Sequence, residues 1–224
     1  DWYQFTLNFS EQKDKKYLHI ACPVGSPTAF APIPVVPEGT IFENQHTRIE
    51  KVTVLSGGSK ALTAVLKTAQ PGSEIGVGML QVEKTIAAHV IATELLPPLV
   101  QPLAICKEGI VYEFISDNQG KPAPTLQQKL RQRDIDISTW KNVMTMIARA
   151  MQLLHAHELS YLDLKGDHIL IDGNGQGRLI DLGSIRRYGD LIDPNEGLIT
   201  NSQTYNPAEI IETQRLIAAQ DVPD

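Results

Sequence analysis

The segment spanning residues 161–183 constrains the fold more than any other part of the sequence. A polar loop there carries Asp163 and Lys165, and a short apolar strand follows it. A turn with three glycines and a second apolar strand then lead to Asp-Leu-Gly at 181–183. Strands joined by a tight turn pair with each other. We therefore expect Asp163 and Asp181 to reach one cleft from neighbouring strand ends.

Two carboxylates in one cleft suit phosphoryl transfer to a hydroxyl group. One carboxylate accepts or orients the hydroxyl proton, and the other holds the Mg²⁺ that bridges the nucleotide phosphates. Either aspartate taken alone is more simply a cap or turn residue. The joint order of helix, Asp-x-Lys, strand, glycine turn, strand and Asp-Leu-Gly favours a catalytic pair.

The rest of the chain divides into a strand-rich first part and a helical second part. Alternating apolar residues around a charged tip predict a β-hairpin over 1–22, and a proline-rich connector follows. Strands are predicted over 48–55 and 61–68, joined by a Ser-Gly-Gly-Ser turn. The other predicted elements are a helix over 79–96, strands over 100–106 and 110–115, a helix over 126–132, and a long helix from its N-cap Ser138 to Ala156.

Composition indicates a folded chain without bulk charge for binding polyanions. Of 224 residues, 42% are hydrophobic and 21% charged, and the net charge of −6 argues against nucleic-acid or anionic-membrane binding. Cys22 and Cys106 form no CxxC or zinc-site spacing, so we expect a reducing, cytoplasmic location without structural disulfides. No uninterrupted run of eighteen apolar residues occurs, so we expect no membrane span.

These motifs resemble those of the protein-kinase-like family over roughly residues 34–222. Asp163-Leu164-Lys165 is similar to the Asp-x-Lys of the kinase catalytic loop, and Asp181-Leu182-Gly183 is similar to its D-F-G. The segment 202–209 resembles the one that closes in A-P-E, with its proline shifted by one place. Residues 111–115 resemble the last small-lobe strand and the hinge. The resemblance is to eukaryotic-type Ser/Thr kinases, in a divergent and truncated or minimal form.

The resemblance implies an α+β, bilobal protein-kinase-like fold. Its parts are an N-terminal β-hairpin with a connector over 1–33, a small, nucleotide-binding lobe over 34–115, and a large, catalytic lobe over 116–224. The small lobe is expected to be β-rich, with five strands and one helix, and the large lobe mostly helical and incomplete. The chain opens with Asp1, shows no leader and stops at Asp224, where the resemblance would place the start of a further large-lobe helix. We therefore expect a piece of a longer protein or a minimal kinase fold.

The resemblance also implies a role for eight residues. Asp163 is the implied catalytic base, and Lys165 steadies the transferred phosphoryl group. Asp181 and His168 are the implied ligands of Mg²⁺ or Mn²⁺. The implied ATP-binding residues are Lys67, Glu83, Glu113 and Ile115.

The phosphate-binding lysine has two candidate registers in the small lobe. In the first, Lys67 ends the strand 64–67, and Glu83, sixteen residues later, is the helix glutamate that orients it. In the second, residues 56–59 form the phosphate loop and Gly78 takes the lysine position, five residues before Glu83. Five residues are too few for a strand end, a connection and the start of a helix, which rises only about 1.5 Å per residue. We therefore favour Lys67.

Three departures from the family pattern affect these expectations. Tyr161 and Leu162 replace the usual His-Arg, so we do not expect control by phosphorylation of the activation loop. His168 replaces a metal-binding asparagine, and its nitrogen suits Mg²⁺ poorly. The turn nearest the expected glycine-rich loop, 43–46, has no glycine, so phosphate binding by its backbone is unsupported.

The implied function is ATP-dependent transfer of a phosphoryl group to Ser/Thr hydroxyls of a protein substrate. The departures favour an alternative, a pseudokinase that binds or scaffolds a partner without chemistry. A small-molecule phosphotransferase of the aminoglycoside or choline kinase type would share the cleft and both aspartates, but Lys165 and the segment around Glu209 disfavour it. The expected partners are ATP and a protein substrate or binding partner.

Overall fold

The computed structural model describes most of the chain between residues 9 and 189. The described ranges are 9–12, 15–21, 30–55, 61–93, 98–106 and 109–189. The predicted turn at 56–59 and the predicted A-P-E-like segment at 202–209 lie outside these ranges.

The strand-rich part forms an antiparallel sheet that has seven strands in the described residues. The strands are β1 (Phe9–Gln12), β2 (Lys15–Ala21), β3 (Phe30–Glu43), β4 (Thr47–Leu55), β5 (Ala61–Ala69), β6 (Pro102–Ile105) and β7 (Gly109–Glu113). Their order is β1-β2-β3-β4-β5-β7-β6. Strands β4 to β7 correspond to the four small-lobe strands that the sequence located, and β3 (Phe30–Glu43), most of which was predicted as part of the connector, is the fifth strand. The hairpin β1–β2 extends that sheet because β2 pairs along β3.

The proline-rich connector leads directly into a long strand. Pro32 and Pro34 lie where β3 pairs with β2. Two residues apart in a strand, they turn their nitrogens to the same edge, so the missing N–H groups affect only one side of the ladder. The predicted boundary between residues 33 and 34 falls within β3 (Phe30–Glu43). The proposed division of the chain into lobes stays a prediction.

Alternation along β5 determines which side chains face the cleft. Ala64 and Leu66 are buried on one face of the sheet. Because successive side chains in a strand point to opposite faces, Val65 and Lys67 lie on the other face. Buried residues packed with Ala64 and Leu66 are Val35, Val52, Ala104, Cys106 and Val111. Lys67 is thereby directed away from this cluster.

Helix α1 spans Glu74–Thr93, so the predicted start at residue 79 was wrong by five residues. The Ser73 hydroxyl oxygen accepts a hydrogen bond from the backbone N–H of Gly76 at 3.0 Å, as an N-cap does. Two early glycines, Gly76 and Gly78, weaken the helical pattern in the sequence. Residues 75–78 are helical rather than a strand, which contradicts the second lysine register.

By length and composition alone, α1 is apolar enough to cross a membrane. Core helices of globular folds can be equally long and apolar. Glu83, near the middle of α1, is only 2% exposed and pairs with Lys67 of β5. We therefore describe α1 as the helix of the small lobe.

Two further helices begin the large lobe, and side-chain caps define their starts. Helix α2 (Leu126–Gln132) has the predicted bounds and opens with a capping box between Thr125 and Gln128. Helix α3 spans Ile137–Ala156, and its N-cap is Asp136, whose carboxylate accepts from the Thr139 N–H at 2.8 Å. The prediction of Ser138 as the N-cap was therefore wrong, since Ser138 lies within the first turn.

Four short strands follow α3 in the residues up to 189 that the structure describes, and they carry the loops of the cleft. They are β8 (Leu159–Tyr161), β9 (Ile169–Ile171), β10 (Gly177–Leu179) and β11 (Ile185–Arg187). Strand β9 pairs with β10, and β8 pairs with β11. The core beneath them includes Val143, Ile147, Ala150, Leu154, Leu159, Leu179, Leu182 and Ile185. The loop of Asp163 leads into β9, and Asp181 follows β10 by two residues. Because β9 and β10 are antiparallel, with Ile169 opposite Leu179, the start of one strand and the end of the other bring both carboxylates to the same cleft.

Candidate active site

Three charged side chains from three elements meet in the cleft, and we call them the charged cluster: Lys67 of β5, Glu83 of α1 and Asp181 after β10. Lys67 Nζ lies 2.7 Å from Glu83 Oε2 and 2.8 Å from Asp181 Oδ1. Lys67 and Asp181 are 114 residues apart in the sequence. One ammonium group thus joins the sheet, the helix and the large lobe.

Charge pairing outweighs burial for two members of the charged cluster. Burial disfavours the ammonium of Lys67, but the carboxylates of Asp181 and Glu83 raise its pKa above the ordinary value. Burial likewise disfavours the Asp181 carboxylate, yet Lys67 lowers the pKa of Asp181 below its ordinary range. For Glu83 burial prevails and raises the pKa of its carboxyl group. Lys67 and Asp181 are therefore the firmly charged pair at neutral pH.

Tyr112, a residue that sequence reasoning did not single out, fixes the other oxygen of Glu83. The Tyr112 hydroxyl donates to Glu83 Oε1 at 2.7 Å, and both groups are buried. Burial, together with the Glu83 carboxylate, raises the pKa of Tyr112 well above its ordinary value. A tyrosine within an apolar strand beside Glu113 was the available signal, since a buried phenol needs a partner.

The loop after β8 holds Asp163 and Lys165 side by side. Lys165 Nζ lies 2.6 Å from Asp163 Oδ2. The ring of His168 stands between the two aspartates: Nδ1 is 3.6 Å from Asp163 Oδ2, and Nε2 is 3.7 Å from Asp181 Oδ2. Asp163, His168 and Asp181 offer ligand atoms within 4.8 Å of one another, which suits one metal ion.

Tyr161 connects the catalytic-loop segment to the strand end that carries Asp181. Its hydroxyl donates to the backbone oxygen of Ile180 at 2.7 Å. The same hydroxyl lies 3.1 Å from His168 Nδ1, which is also 2.9 Å from the backbone oxygen of Asp163. Tyr161 is the residue that replaces the histidine of the family pattern. Tyr161 therefore connects the loop of Asp163 to the backbone just before Asp181.

The backbone of Asp181 adopts a left-handed conformation, with φ 63° and ψ 67°. A non-glycine residue there costs on the order of 1–3 kcal/mol, and such strain is concentrated at functional sites. Lys67 and the Ser184 hydroxyl, which donates to Asp181 Oδ2 at 2.9 Å, hold the side chain. A Cβ on Gly183 would lie 3.1 Å from Glu83 Oε2, so glycine permits this close approach.

Two of the predicted ATP-binding residues, Glu113 and Ile115, lie outside the charged cluster. Glu113 Oε1 accepts from the Gln101 N–H at 2.8 Å and from Arg178, so its side chain joins β7 to β10. Ile115 is buried, and its backbone oxygen accepts from the Ala123 N–H at 3.0 Å. Because these groups are already bonded within the protein, a nucleotide would have to contact other backbone groups of this segment. The ATP-binding roles of Glu113 and Ile115 stay predictions.

The β3–β4 turn, Asn44–His46, is the glycine-free turn noted in the sequence. The Asn44 side-chain oxygen accepts from the N–H groups of His46 and Thr47, at 2.8 Å each. The Asn44 N–H in turn donates to the Thr47 backbone oxygen at 3.0 Å. These N–H groups already have acceptors within the turn, unlike those of a glycine-rich loop that binds phosphate.

The same turn rests on the start of α1. The backbone oxygen of His46 accepts from the Gln70 N–H at 2.9 Å, and His46 Nδ1 lies 3.0 Å from the Ser73 hydroxyl. Gly76 lies so close beneath that a Cβ there would overlap the His46 backbone oxygen. The cleft beside this contact is lined, besides the charged cluster and Asp163, by Thr47, Thr68, Met79, Leu162, Ser184 and Arg186.

One protein family matches this chain mainly over the large lobe. The protein kinase domain family matches residues 105–222, more than half of the chain. The chain is 30% identical over 133 residues to an Arabidopsis thaliana protein named "Probable serine/threonine-protein kinase PBL18", a match that covers 55% of this chain and 33% of that protein. With a Dictyostelium discoideum protein named "Probable serine/threonine-protein kinase", identity is 29% over 119 residues, covering 53% of this chain and 25% of that protein.

The chain belongs to the protein kinase family. The predicted family and its bilobal α+β fold class are therefore confirmed. A second Arabidopsis thaliana "Probable serine/threonine-protein kinase" is 27% identical over 134 residues, or 55% of this chain and 31% of that protein. The chain thus spans between a quarter and a third of the length of these three relatives.

Proposed function

We propose that this protein is a kinase that transfers the terminal phosphoryl group of ATP to Ser/Thr hydroxyls of a protein substrate. The observation that carries the proposal is the convergence of the charged cluster on a loop that holds Asp163 and Lys165. Family membership supports phosphoryl transfer to proteins, and the names of the relatives support hydroxyl acceptors. A cytoplasmic location is part of the same proposal.

Different residues of the cleft act on the substrate hydroxyl, which accepts the phosphoryl group, and on ATP, which donates it. Asp163 accepts the proton of the substrate hydroxyl, and Lys165, 2.6 Å away, compensates charge on the transferred group. Lys67 binds phosphate oxygens, and Glu83 with Tyr112 keeps its ammonium in place. Backbone groups near Glu113 and Ile115 bind the nucleotide base.

The donor set also suits a divalent ion beside the phosphates. Asp181 Oδ2 and His168 Nε2 would hold Mg²⁺ or Mn²⁺, and Asp181 is an ionised carboxylate whose pKa Lys67 lowers despite burial. A bound ion would neutralise charge on the nucleotide phosphates. The carboxylate fits either ion, whereas the imidazole nitrogen fits Mn²⁺ better than Mg²⁺.

Transfer of labelled phosphate from ATP to a mixed Ser/Thr peptide substrate tests the proposal. The Asp163→Asn variant should lose about 10²- to 10⁴-fold in rate, the contribution expected of a general base. Asp167→Asn is the matched control, because it makes the same change on an exposed residue of the same loop. Equal rates for Asp163→Asn and the parent would contradict the assignment.

The β3–β4 turn favours one second candidate, a pseudokinase that binds a partner without chemistry. Its N–H groups at positions 44, 46 and 47 are hydrogen-bonded within the turn, so the usual backbone cradle for phosphate is missing there. Thermal unfolding with ATP, with and without Mg²⁺ or Mn²⁺, separates the two candidates. A kinase should be stabilised by ATP and metal together, whereas a scaffold that has lost the nucleotide site should not respond.

A further inference from the structure

Hydrogen bonds determine which nitrogen of the His168 ring carries a proton. Nδ1 lies 2.9 Å from the backbone oxygen of Asp163, which can only accept. Nδ1 is also 3.1 Å from the Tyr161 hydroxyl, whose own proton goes to the Ile180 oxygen at 2.7 Å. Both neighbours of Nδ1 are therefore acceptors, so Nδ1 carries the hydrogen. In the neutral ring, Nε2 then presents its lone pair.

This lone pair lies beside the Asp181 carboxylate. Nε2 is 3.7 Å from Asp181 Oδ2, too far for a hydrogen bond between them. Lys67 pairs with the other oxygen of Asp181, Oδ1, at 2.8 Å, and Oδ2 accepts from the Ser184 hydroxyl, so the carboxylate is held ionised with Oδ2 facing the Nε2 lone pair. A divalent ion held here would accept electron pairs from both Oδ2 and Nε2.

We propose that His168 Nε2 is a direct metal ligand and makes this site select a divalent transition ion such as Mn²⁺ over Mg²⁺. The inference rests on the proposed function in one respect, because it concerns the metal site of the same cleft. Imidazole suits transition ions, whereas Mg²⁺ prefers oxygen and gives up its waters reluctantly. A ring that binds a metal through one nitrogen while its other nitrogen, here Nδ1, donates its N–H to a backbone carbonyl has the outer-shell support typical of metal-bound histidine.

Direct ion binding tests the selectivity without any turnover. The full chain is titrated with Mn²⁺, bound ion is measured by loss of the free Mn²⁺ EPR signal, and Mg²⁺ is then added as the competitor. The parent should bind Mn²⁺ at least about tenfold more tightly than Mg²⁺, and His168→Asn should lower that ratio by about tenfold. The His155→Asn variant, changed in an exposed residue at the end of α3, should keep the parent ratio.

Electron spin-echo spectroscopy of the bound Mn²⁺ tests ligation itself. Coupling to an imidazole nitrogen should be present in the parent and in His155→Asn, and absent in His168→Asn, whose amide would offer oxygen. A His168→Gln variant repeats the comparison if His168→Asn does not fold. Bound Mn²⁺ without nitrogen coupling, an unchanged selectivity ratio, or no Mn²⁺ binding to the parent would overturn the proposal.

These outcomes are separable from failure of the proposed function. Nitrogen coupling in a protein that transfers no phosphate would support the metal site and contradict the kinase activity. Phosphate transfer with Mg²⁺ and no nitrogen coupling would do the reverse.

Discussion

Two regions of the same cleft differ in how closely they follow the kinase pattern. The charged cluster and the loop of Asp163 have the expected residue types, in contact with one another. The β3–β4 turn, on the other side, has no glycine and binds to the start of α1 through His46. The residues suited to proton and phosphoryl chemistry are thus present without the backbone loop that normally covers the phosphates.

One helix, α1, contacts both regions, but it does so through different residues. Near its start, Ser73 and Gly76 receive the β3–β4 turn. Two turns later, Glu83 holds Lys67. A change at the start of α1 should therefore affect the turn first, and a change at Glu83 should affect the charged cluster.

Lys67→Met should be the most destabilising of the changes we consider. It removes the only cation within hydrogen-bonding distance of the Glu83 and Asp181 carboxylates in the described part of the chain, which leaves buried charge unpaired. Breaking a buried ion pair from one side costs about 3–5 kcal/mol of unfolding free energy. Urea unfolding of parent and variant measures the loss.

The exposed pair Lys129–Asp134 provides the control for Lys67→Met. Its atoms lie 2.5 Å apart, but the Asp134 side chain is 67% exposed. Lys129→Met should therefore cost no more than about 1 kcal/mol. Similar losses for both variants would show that the charged cluster behaves as an ordinary surface ion pair.

Gly76→Ala should displace the β3–β4 turn from α1. The new Cβ would overlap the backbone oxygen of His46, and backbone cannot move as cheaply as a flexible side-chain end. Overpacking of this kind costs about 1–3 kcal/mol. Gly78→Ala is the matched control, since it lies two residues on in the same helix with nothing within 4 Å of its added Cβ.

The two glycine variants should change stability in opposite directions. Gly78→Ala should stabilise the protein by up to about 1 kcal/mol, the helix propensity difference between the two residues. If Gly76→Ala also stabilises the protein in thermal unfolding, the turn is not held against α1 as the structure has it.

The sequence predicted that Asp163 and Asp181 would reach one cleft because the signal for this placement is local, while their chemical roles stay predictions. Between Asp163 and Asp181 the sequence shows, in order, an apolar strand, a turn with glycines and a second apolar strand, which together predict a short hairpin. The register of Lys67 and Glu83 also followed from chain length, because too few residues separate Gly78 from Glu83. Each of these inferences needed only neighbouring residues and the dimensions of a helix.

Other features depended on contacts that no local pattern reveals. Tyr112 and Tyr161 donate hydrogen bonds to acceptors 29 and 19 residues away. A tyrosine in an apolar strand does not indicate which residue accepts its hydrogen bond. Asp136 and Ser138 are both good capping residues, so only the geometry of the first turn decides between them. The early start of α1 depends on packing around Gly76, which outweighs the low helix propensity of glycine.

Asn44→Ala should separate the stability of the β3–β4 turn from nucleotide binding. The change removes the acceptor of two N–H groups at 2.8 Å and should cost about 1 kcal/mol. ATP affinity, measured by calorimetry, should stay within about twofold of the parent, because these N–H groups are bonded within the turn itself. A tenfold loss of affinity, equal to about 1.4 kcal/mol, would place the turn in the nucleotide site.

The smallest expected effect concerns pH, at the far end of α1 from the β3–β4 turn. His89 faces His157 of the large lobe, with ring centroids 6.2 Å apart. Burial lowers the pKa of His89 from its ordinary value, and the charge of Arg187 lowers it further. Below about pH 6.5, the usual value for histidine, the unfolded chain binds a proton that the folded protein resists.

Stability from His89 is therefore complete above that pH and is lost as the pH falls from about 6.5 toward the lowered pKa of the folded state. Urea unfolding at pH 7 and pH 5 should show a greater loss for the parent than for His89→Gln. His155→Gln, changed at an exposed position on α3, should follow the parent. Because His89 is only partly buried, solvent screens the effect, and it should be smaller than that of Asn44→Ala. Equal losses for the parent and His89→Gln would mean that His89 contributes nothing to the pH dependence of stability.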